Sequence, residues 1–399
     1  MNILKGFNAI KDEQVNYFQT YTYNYPVIMS IGKYEELKRL GQILYKAIRH
    51  MLDNYPKYLT LMPREEKDLR ILEVCDKYPC RVGTFRTDFV VDKFNNIKII
   101  EMTTRQPLNG YFTSGFFREI ALEQIKGLQI NEIVDIYPGF FDYLEKYIGD
   151  ARHVCVIKGN EKLEEIKIYP AIFENAGIQC HIIPIEELPQ KLKLLEDAWV
   201  IEELTFNEIR SFPLEIIDAL AKCRLHNAIK ALLFTHDKRF YYALNHPEFL
   251  KNALEPHERE ILKKYIVPTY VYGDNPEEWE KAYNNKDGYI LKHQIKGKSV
   301  DVYAGCITDD VAWEKLFIPA TLEHMVLQPF VDQKQFEGFV GAEKRNDFAA
   351  GTLLYFNQEF FGPGLYRTSS LPVSGISDFR KIAQLVAKTD DILPGIHYL

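Results

Sequence analysis

The sequence predicts an α/β protein that also carries segregated helical and antiparallel parts (α+β elements). Three observations lead there. Residues 151–234 alternate strand and helix runs, residues 1–80 read as mostly helical, and beyond Gly83 the apolar period changes to two. At 399 residues the chain is too long for one ordinary core, and about 150 residues per domain gives two or three. The changes of texture divide it into a helical N-terminal region (1–80), a hairpin-bearing part (81–150), an inserted α/β unit (151–234) and a final part (235–399).

In the first region Leu37, Leu40, Ile43, Leu44, Ala47, Ile48 and Met51 recur at three-and-four spacing, so Tyr34–Leu52 is an amphipathic helix. Thr84–Val91 and Ile97–Thr103 are strands joined by a polar turn containing Asn95 and Asn96. Helices are expected near Ser114–Leu128 and Glu132–Tyr147. His153–Lys158 is a buried strand closed by Gly159, and Leu163–Ala176 is a helix that Pro170 should kink or divide, with Gly177 as its stop. Gln179–Pro184 and Ala198–Glu203 follow as strands, Pro213–Cys223 as a helix and Ala228–Phe234 as a last strand. Ile157-Lys158-Gly159-Asn160 does not supply a GxGxxG after the first strand, so the unit reads as a substrate-side module and not a dinucleotide domain. The final part opens with helices at Lys238–Leu254 and Glu255–Tyr265. After Pro268 and a turn at Asp287-Gly288 it continues with strands at Tyr289–Ile295, Met325–Phe330 and Gly351–Phe356.

Composition narrows the function. Lys plus Arg is 49 against 56 Asp plus Glu, a net charge of −7, which argues against nucleic acid as partner while leaving room for a local basic cleft. No run of eighteen apolar residues exists, and Lys5, Lys11, Asp12 and Glu13 interrupt the start, so neither a membrane span nor a secretory signal is expected. Six cysteines lie scattered without a CxxC pair, four of them in or beside apolar runs such as Val154-Cys155-Val156-Ile157. Free thiols in a reducing compartment are the economical account, and a cytoplasmic protein is expected.

Four constellations could carry chemistry. An antiparallel pairing of Thr84–Val91 with Ile97–Thr103 through a four-residue loop sets Asp88 opposite Glu101 and Arg86 opposite Thr103. Two acids facing across a ladder repel unless a cation sits between them, and Mg²⁺ with its preference for oxygen suits that place. Alternatively the face is simply charged, with Arg86 neutralising Asp88. Lys292 ends an apolar strand and is followed by Lys296, Gly297, Lys298 and Ser299, a short loop suited to an anion or an exposed basic hairpin tip. Met325–Val331, interrupted by Pro329, offers backbone donors and acceptors beside apolar side chains, as an adenine ring needs, or is an edge strand and nothing more. In Gly362–Ser370, Gly-rich backbone precedes Arg367 and three hydroxyls and can clamp an oxyanion, although turn chemistry explains it equally well. Arg367 then faces a phosphoryl group or pairs with an acid such as Asp378.

Taken in order, these elements resemble the glutathione synthetase-like branch of the ATP-grasp ligases, which is circularly permuted relative to other ATP-grasp enzymes and includes the glutathionylspermidine synthetase domain. The resemblance spans roughly Arg81 to Ser370. It implies an ATP-grasp fold with an inserted small α/β substrate domain beside the helical N-terminal region. The family's magnesium hairpin, Arg-x-Asp followed by Glu-x-Asn, stands here as Arg86-Thr87-Asp88 and Glu101-Met102-Thr103. That makes Asp88, Glu101 and Thr103 the implied metal residues. Lys238 in His236-Asp237-Lys238-Arg239 looks like the early nucleotide lysine, Lys292 like the strand lysine, Lys296–Ser299 like the flexible loop, and Leu327–Val331, with Gln328 and Phe330, like the adenine hinge. Two positions depart from the pattern. Thr103 stands where the family has a metal-binding Asn, and Lys296 where glutathione synthetase has a metal-binding Glu.

The activity implied is ligation of a carboxylate to an amine (or thiol) through an acyl phosphate, with ATP and Mg²⁺ as cofactors. Arg86 and Arg367 are the catalytic candidates. Arg105 and Asn109, just after the hairpin, are placed to hold a substrate. The partners expected are small-molecule carboxylate and amine substrates of amino-acid or small-peptide kind, with a homodimer compatible. A nucleotide-binding regulatory or scaffold protein and an ATP-dependent phosphotransferase are the alternatives.

Overall fold

The computed structural model describes residues 2–128, 130, 132–162, 165–373, 379–388 and 397–399. Among them the strands form four sheets, and with the helices packed on these the architecture is mixed α/β with a helical N-terminal region. The long helix Ile31–Asn54 starts where Ser30 leaves extended backbone and its Oγ accepts the Lys33 N–H at 3.2 Å. It buries the expected stripe, Leu37, Leu40, Ile43, Leu44, Ala47, Ile48 and Met51. Gly41 is needed for the close crossing over the central sheet, since a Cβ there would lie 2.3 Å from the Tyr355 ring. Just before this helix, Val27–Ser30 is a strand paired in parallel with Gln384–Ala387 and His397–Tyr398, which the sequence reading missed because four residues show no period.

The central sheet runs Lys381–Ile382, Glu359–Ser369, Glu343–Phe356, Thr84–Val91, Ile97–Thr103, all antiparallel, with Gln335–Val340 also on Glu343–Phe356. In the hairpin Val91 faces Ile97 and Phe89 faces Ile99, one residue off the expected register. Ile100 is then an extra residue, a bulge that shifts the pairing so that Asp88 does face Glu101 and Arg86 does face Thr103. Gly362–Ser370 is not a turn. It lies largely within the strand Glu359–Ser369, whose glycines and Pro363 are absorbed by register shifts against Gly351–Tyr355.

The inserted unit is a parallel sheet in the order Gln179–Pro184, His153–Lys158, Ala198–Glu203, Arg224–Leu225. Pro170 does divide its first helical stretch, into a 3₁₀ turn Glu165–Ile168 and a helix Tyr169–Asn175 that carries the proline in its first turn; Leu163 lies outside the described residues. Ala228–Phe234 is not a strand. Residues Ile229–Thr235 form a fully buried helix, and a short, wholly apolar run carries no period that separates the two states. The first strand of the unit has neighbours on both sides, so the carboxyl ends of His153–Lys158 and Ala198–Glu203 flank a crevice.

The fourth sheet, Val302–Ala304, Tyr289–His293, Met325–Pro329, Tyr270–Val271, has its own small core of Trp279, Leu291, Trp313, Met325 and Leu327. Ahead of it the expected helix Lys238–Leu254 is two pieces, Arg239–Ala243 and Pro247–Ala253, because Pro247 cannot continue a helix and starts a new one. The helix expected from Glu132 begins at Tyr137, with Pro138 in its first turn. All six cysteines are free thiols, Cys75 and Cys155 buried and Cys306 exposed. Among the described residues no helix is long and apolar enough to cross a membrane.

Two residues leaving the inserted unit fasten it to the hairpin. Asn227 accepts the Thr84 N–H at 2.8 Å and donates to the carbonyls of Thr84 (2.7 Å) and Thr104. His226 contacts Thr84 Oγ1 through Nε2 at 3.1 Å among the rings of Tyr147, Trp199 and Phe356. Burial pushes the His226 imidazole down from 6.5 to about 3. The folded state therefore keeps it neutral while the unfolded state takes a proton below pH 6.5, so stability falls with pH from 6.5 toward 3. Between pH 6.5 and 5 the expected loss is about 2 kcal/mol. Urea midpoints at the two pH values should show it, and His226→Gln should flatten that part of the profile; an unchanged slope in the variant would clear His226.

Candidate functional site

A cleft of about 340 Å³ opens between the hairpin, the sheet around Tyr289–His293 and the strand Glu359–Ser369, and every candidate site residue except Lys238 borders it. At its centre stand the two facing acids. Asp88 Oδ1 accepts from Arg86 Nε at 3.0 Å, and Asp88 Oδ2 is paired with Arg367. Arg367 is therefore held by Asp88, two strands away in the same sheet; Asp378 lies outside the described residues. Glu101 Oε1 lies 3.3 Å from Lys238 Nζ. Desolvation alone would raise the Glu101 carboxyl, but Lys238 and Lys292 outweigh it and hold it below its ordinary value. Asp88 in turn raises the Arg367 guanidinium.

The bulge places the next cation. Lys292, paired in its strand with Val302 and Val326, donates from Nζ to the carbonyl of Ile100 at 3.2 Å. Burial pushes this ammonium down to about 8, with Lys238 acting in the same direction and Glu101 against it. Lys238 sits behind the cleft wall as the residue capping Arg239–Ala243, and its Nζ also donates to the Lys296 carbonyl at 2.7 Å. Asp237 beside it binds Arg64 at 2.9 Å and Arg239, with Arg64 and Asp237 both fully buried and Arg64 lying over the Phe234 ring at 4.6 Å. The two guanidiniums hold the Asp237 carboxyl at about 2 against its burial.

The loop after Lys292 is arranged differently from the expectation. Lys296 is paired with Asp301, and Lys298 reaches Glu161 at 3.0 Å and the Lys162 carbonyl at 3.0 Å, so both ammonium groups meet protein acceptors. Lys298, Ser299 and Asp301 adopt positive φ of 54°, 58° and 53°, a costly backbone for residues with side chains. Gly297 lets the loop lie against Arg105, whose guanidinium would be 2.6 Å from a Cβ at that position. Arg105 itself binds Glu161 at 2.5 Å, and Gln106 donates to the same carboxylate. Asn109 is turned to the Gln106 side chain (3.0 Å), and its carbonyl accepts from Arg86 at 3.4 Å. Sequence reasoning missed Glu161. Its position just beyond the carboxyl end of the first parallel strand was the available signal.

At the far end Ile290, Phe330 and Val331 line an apolar slot. The Phe330 N–H is taken by the Gly288 carbonyl at 2.8 Å and is not a free hinge donor, contrary to expectation. Gln328 is buried, donates to Thr269 Oγ1 at 2.8 Å, and leaves its Oε1 without a partner.

The acid pair does not fit a resident Mg²⁺ as expected. Both Asp88 oxygens are engaged by arginines, Glu101 lies against Lys238, and the Thr103 hydroxyl is directed at the Arg105 carbonyl at 3.4 Å. Among the described residues no group of three His, Cys, Asp or Glu is placed to hold a metal.

The fold has a counterpart among solved structures. The apo form of a glutathione synthetase-like effector from Globodera pallida matches over 97% of this chain and 97% of its own, with a TM-score of 0.61 at 12% identity. The chain thus has a glutathione synthetase-like fold. Residues 40–234 match the family model of the AnkG N-terminal domain. No curated protein matches the sequence.

Removing Asp237 would leave Arg64 and Arg239 facing each other in the interior without the carboxylate that pairs them. Asp237→Ala should lower unfolding stability by about 3–5 kcal/mol, read from the denaturant midpoint. A loss under about 1 kcal/mol would mean that the cluster contributes little to the fold.

Proposed function

We propose that the cleft binds ATP and that the chain is an ADP-forming carboxylate–amine ligase of ATP-grasp type. One observation carries the reading. An apolar slot with an orphaned acceptor, Gln328 Oε1, adjoins a block of four cations (Arg86, Lys238, Lys292, Arg367) that face only two carboxylates. A purine with its exocyclic amine suits the slot, and a polyphosphate suits the surplus charge.

In this reading a carboxylate oxygen of the first substrate attacks the terminal phosphorus and the bond to ADP breaks. The resulting acyl phosphate is opened at its carbonyl by the amine (or thiol), phosphate leaves, and the attacking group gives its proton to solvent. Lys292 and Arg367 would absorb charge on the transferring phosphoryl group, and the 296–301 loop would exclude water from the acyl phosphate. The substrates proposed are small carboxylates and amines of amino-acid or small-peptide kind. A second reading, nucleotide binding without turnover, is favoured by the internal neutralisation of the acid pair.

Hydroxylamine trapping separates the two. With its carboxylate and ATP a ligase yields a hydroxamate and ADP, whereas a binder releases neither, and that outcome across an amino-acid panel would sink the ligase reading. Lys292→Ala should weaken ATP binding by about 1.5–3 kcal/mol through loss of a charge-assisted contact. Calorimetry giving wild-type affinity would remove Lys292 from the site.

A further inference from the structure

We propose that the cleft holds the polyphosphate of its nucleotide with the chain's own cations and needs no divalent metal ion to do so. This rests on the nucleotide-binding part of the proposed function and goes beyond it.

Arg86, Arg367, Lys238 and Lys292 face Asp88 and Glu101, and four positive against two negative charges leave a surplus of two. That is the charge one divalent ion would bring. The cations are also where an ion would have to be. Arg367 and Arg86 take one Asp88 oxygen each, and Lys238 lies against Glu101, so a divalent ion entering between the acids would be repelled by groups already in contact with its ligands.

These positions are fixed by the fold. Arg367 pairs with Ala350, which on its other side pairs with Val90, so the Arg367 side chain crosses one strand to reach Asp88. Lys292 is anchored on the bulge carbonyl of Ile100, and Lys238 on the Lys296 carbonyl. The remaining oxygen donor, Thr103, is turned to a backbone carbonyl, and the loop contributes Lys296, an ammonium. A phosphate chain entering the cleft therefore meets ammonium and guanidinium donors, which bind its oxygens directly by charge-assisted hydrogen bonds.

Calorimetric titration of the full chain with ATP, once in excess EDTA and once in Mg²⁺, tests this. The two dissociation constants should agree within about threefold. Binding at least tenfold weaker in EDTA would overturn this inference while leaving the nucleotide reading standing. No binding in either buffer would overturn both. Arg367→Gln, a mild change at a partly open position, frees one oxygen of Asp88 and removes one surplus charge. In that variant ATP should bind at least fivefold more tightly with Mg²⁺ than with EDTA. Equal constants in the variant would overturn the role given to Arg367.

Discussion

Two carboxylates facing each other across an antiparallel ladder repel, and much of this molecule's centre is arranged around that repulsion. Asp88 and Glu101 stand opposite because the Ile100 bulge puts them there. Each is neutralised by cations from elsewhere in the chain: Arg86 on the hairpin itself, Lys238 before a short helix, Lys292 on a second sheet and Arg367 on the long strand of the central sheet. Segments more than two hundred residues apart thus converge on one point. Such convergence is favourable only when all of the partners are present, which makes the centre of the cleft a product of the whole fold and not of the hairpin alone.

A second charged cluster sits just behind and obeys a different rule. Arg64, Asp237 and Arg239 are withdrawn from water, so their mutual geometry has no solvent to soften it. Arg86 and Arg367 in the cleft are partly open and can exchange one acceptor for another. Lys238, next in sequence to Asp237, joins the two. The buried cluster sets the backbone from which the Lys238 ammonium reaches Glu101 at the back of the cleft.

Patterns of residues were legible in the sequence where they had length and alternation. Thr84–Val91 and Ile97–Thr103 are strands to the residue, and the inserted unit's three main strands are likewise as read. The acid pairing was expected from a four-residue loop, yet it arises from a shifted register plus a bulge, and no local signal marks Ile100 as the extra residue. Ala228–Phe234 failed because a fully buried helix and a fully buried strand look alike over seven residues. Gly362-Pro363-Gly364 failed because its turn-forming residues are carried in a strand whose register shifts against Gly351–Tyr355 absorb them. In the site, the residues that border the cleft were recognisable by type and order, while their partners were not. Asp301 for Lys296 and Glu161 for Arg105 and Lys298 are tertiary facts that one sequence does not encode as a pattern.

The strand Val27–Ser30 has a consequence for the history of each molecule. Its two neighbours are Gln384–Ala387 and His397–Tyr398, so this strand is flanked on both sides by segments that leave the ribosome long after it. Until residue 384 and those after it emerge, Val27 to Ser30 present an unpaired apolar edge, and the helix beginning at Ile31 lacks part of the layer against which it rests. Closure of so long a loop is entropically expensive and slow. The nascent chain therefore waits in a partly open form until those segments emerge, and that interval is when it is most exposed to aggregation and to chaperone capture.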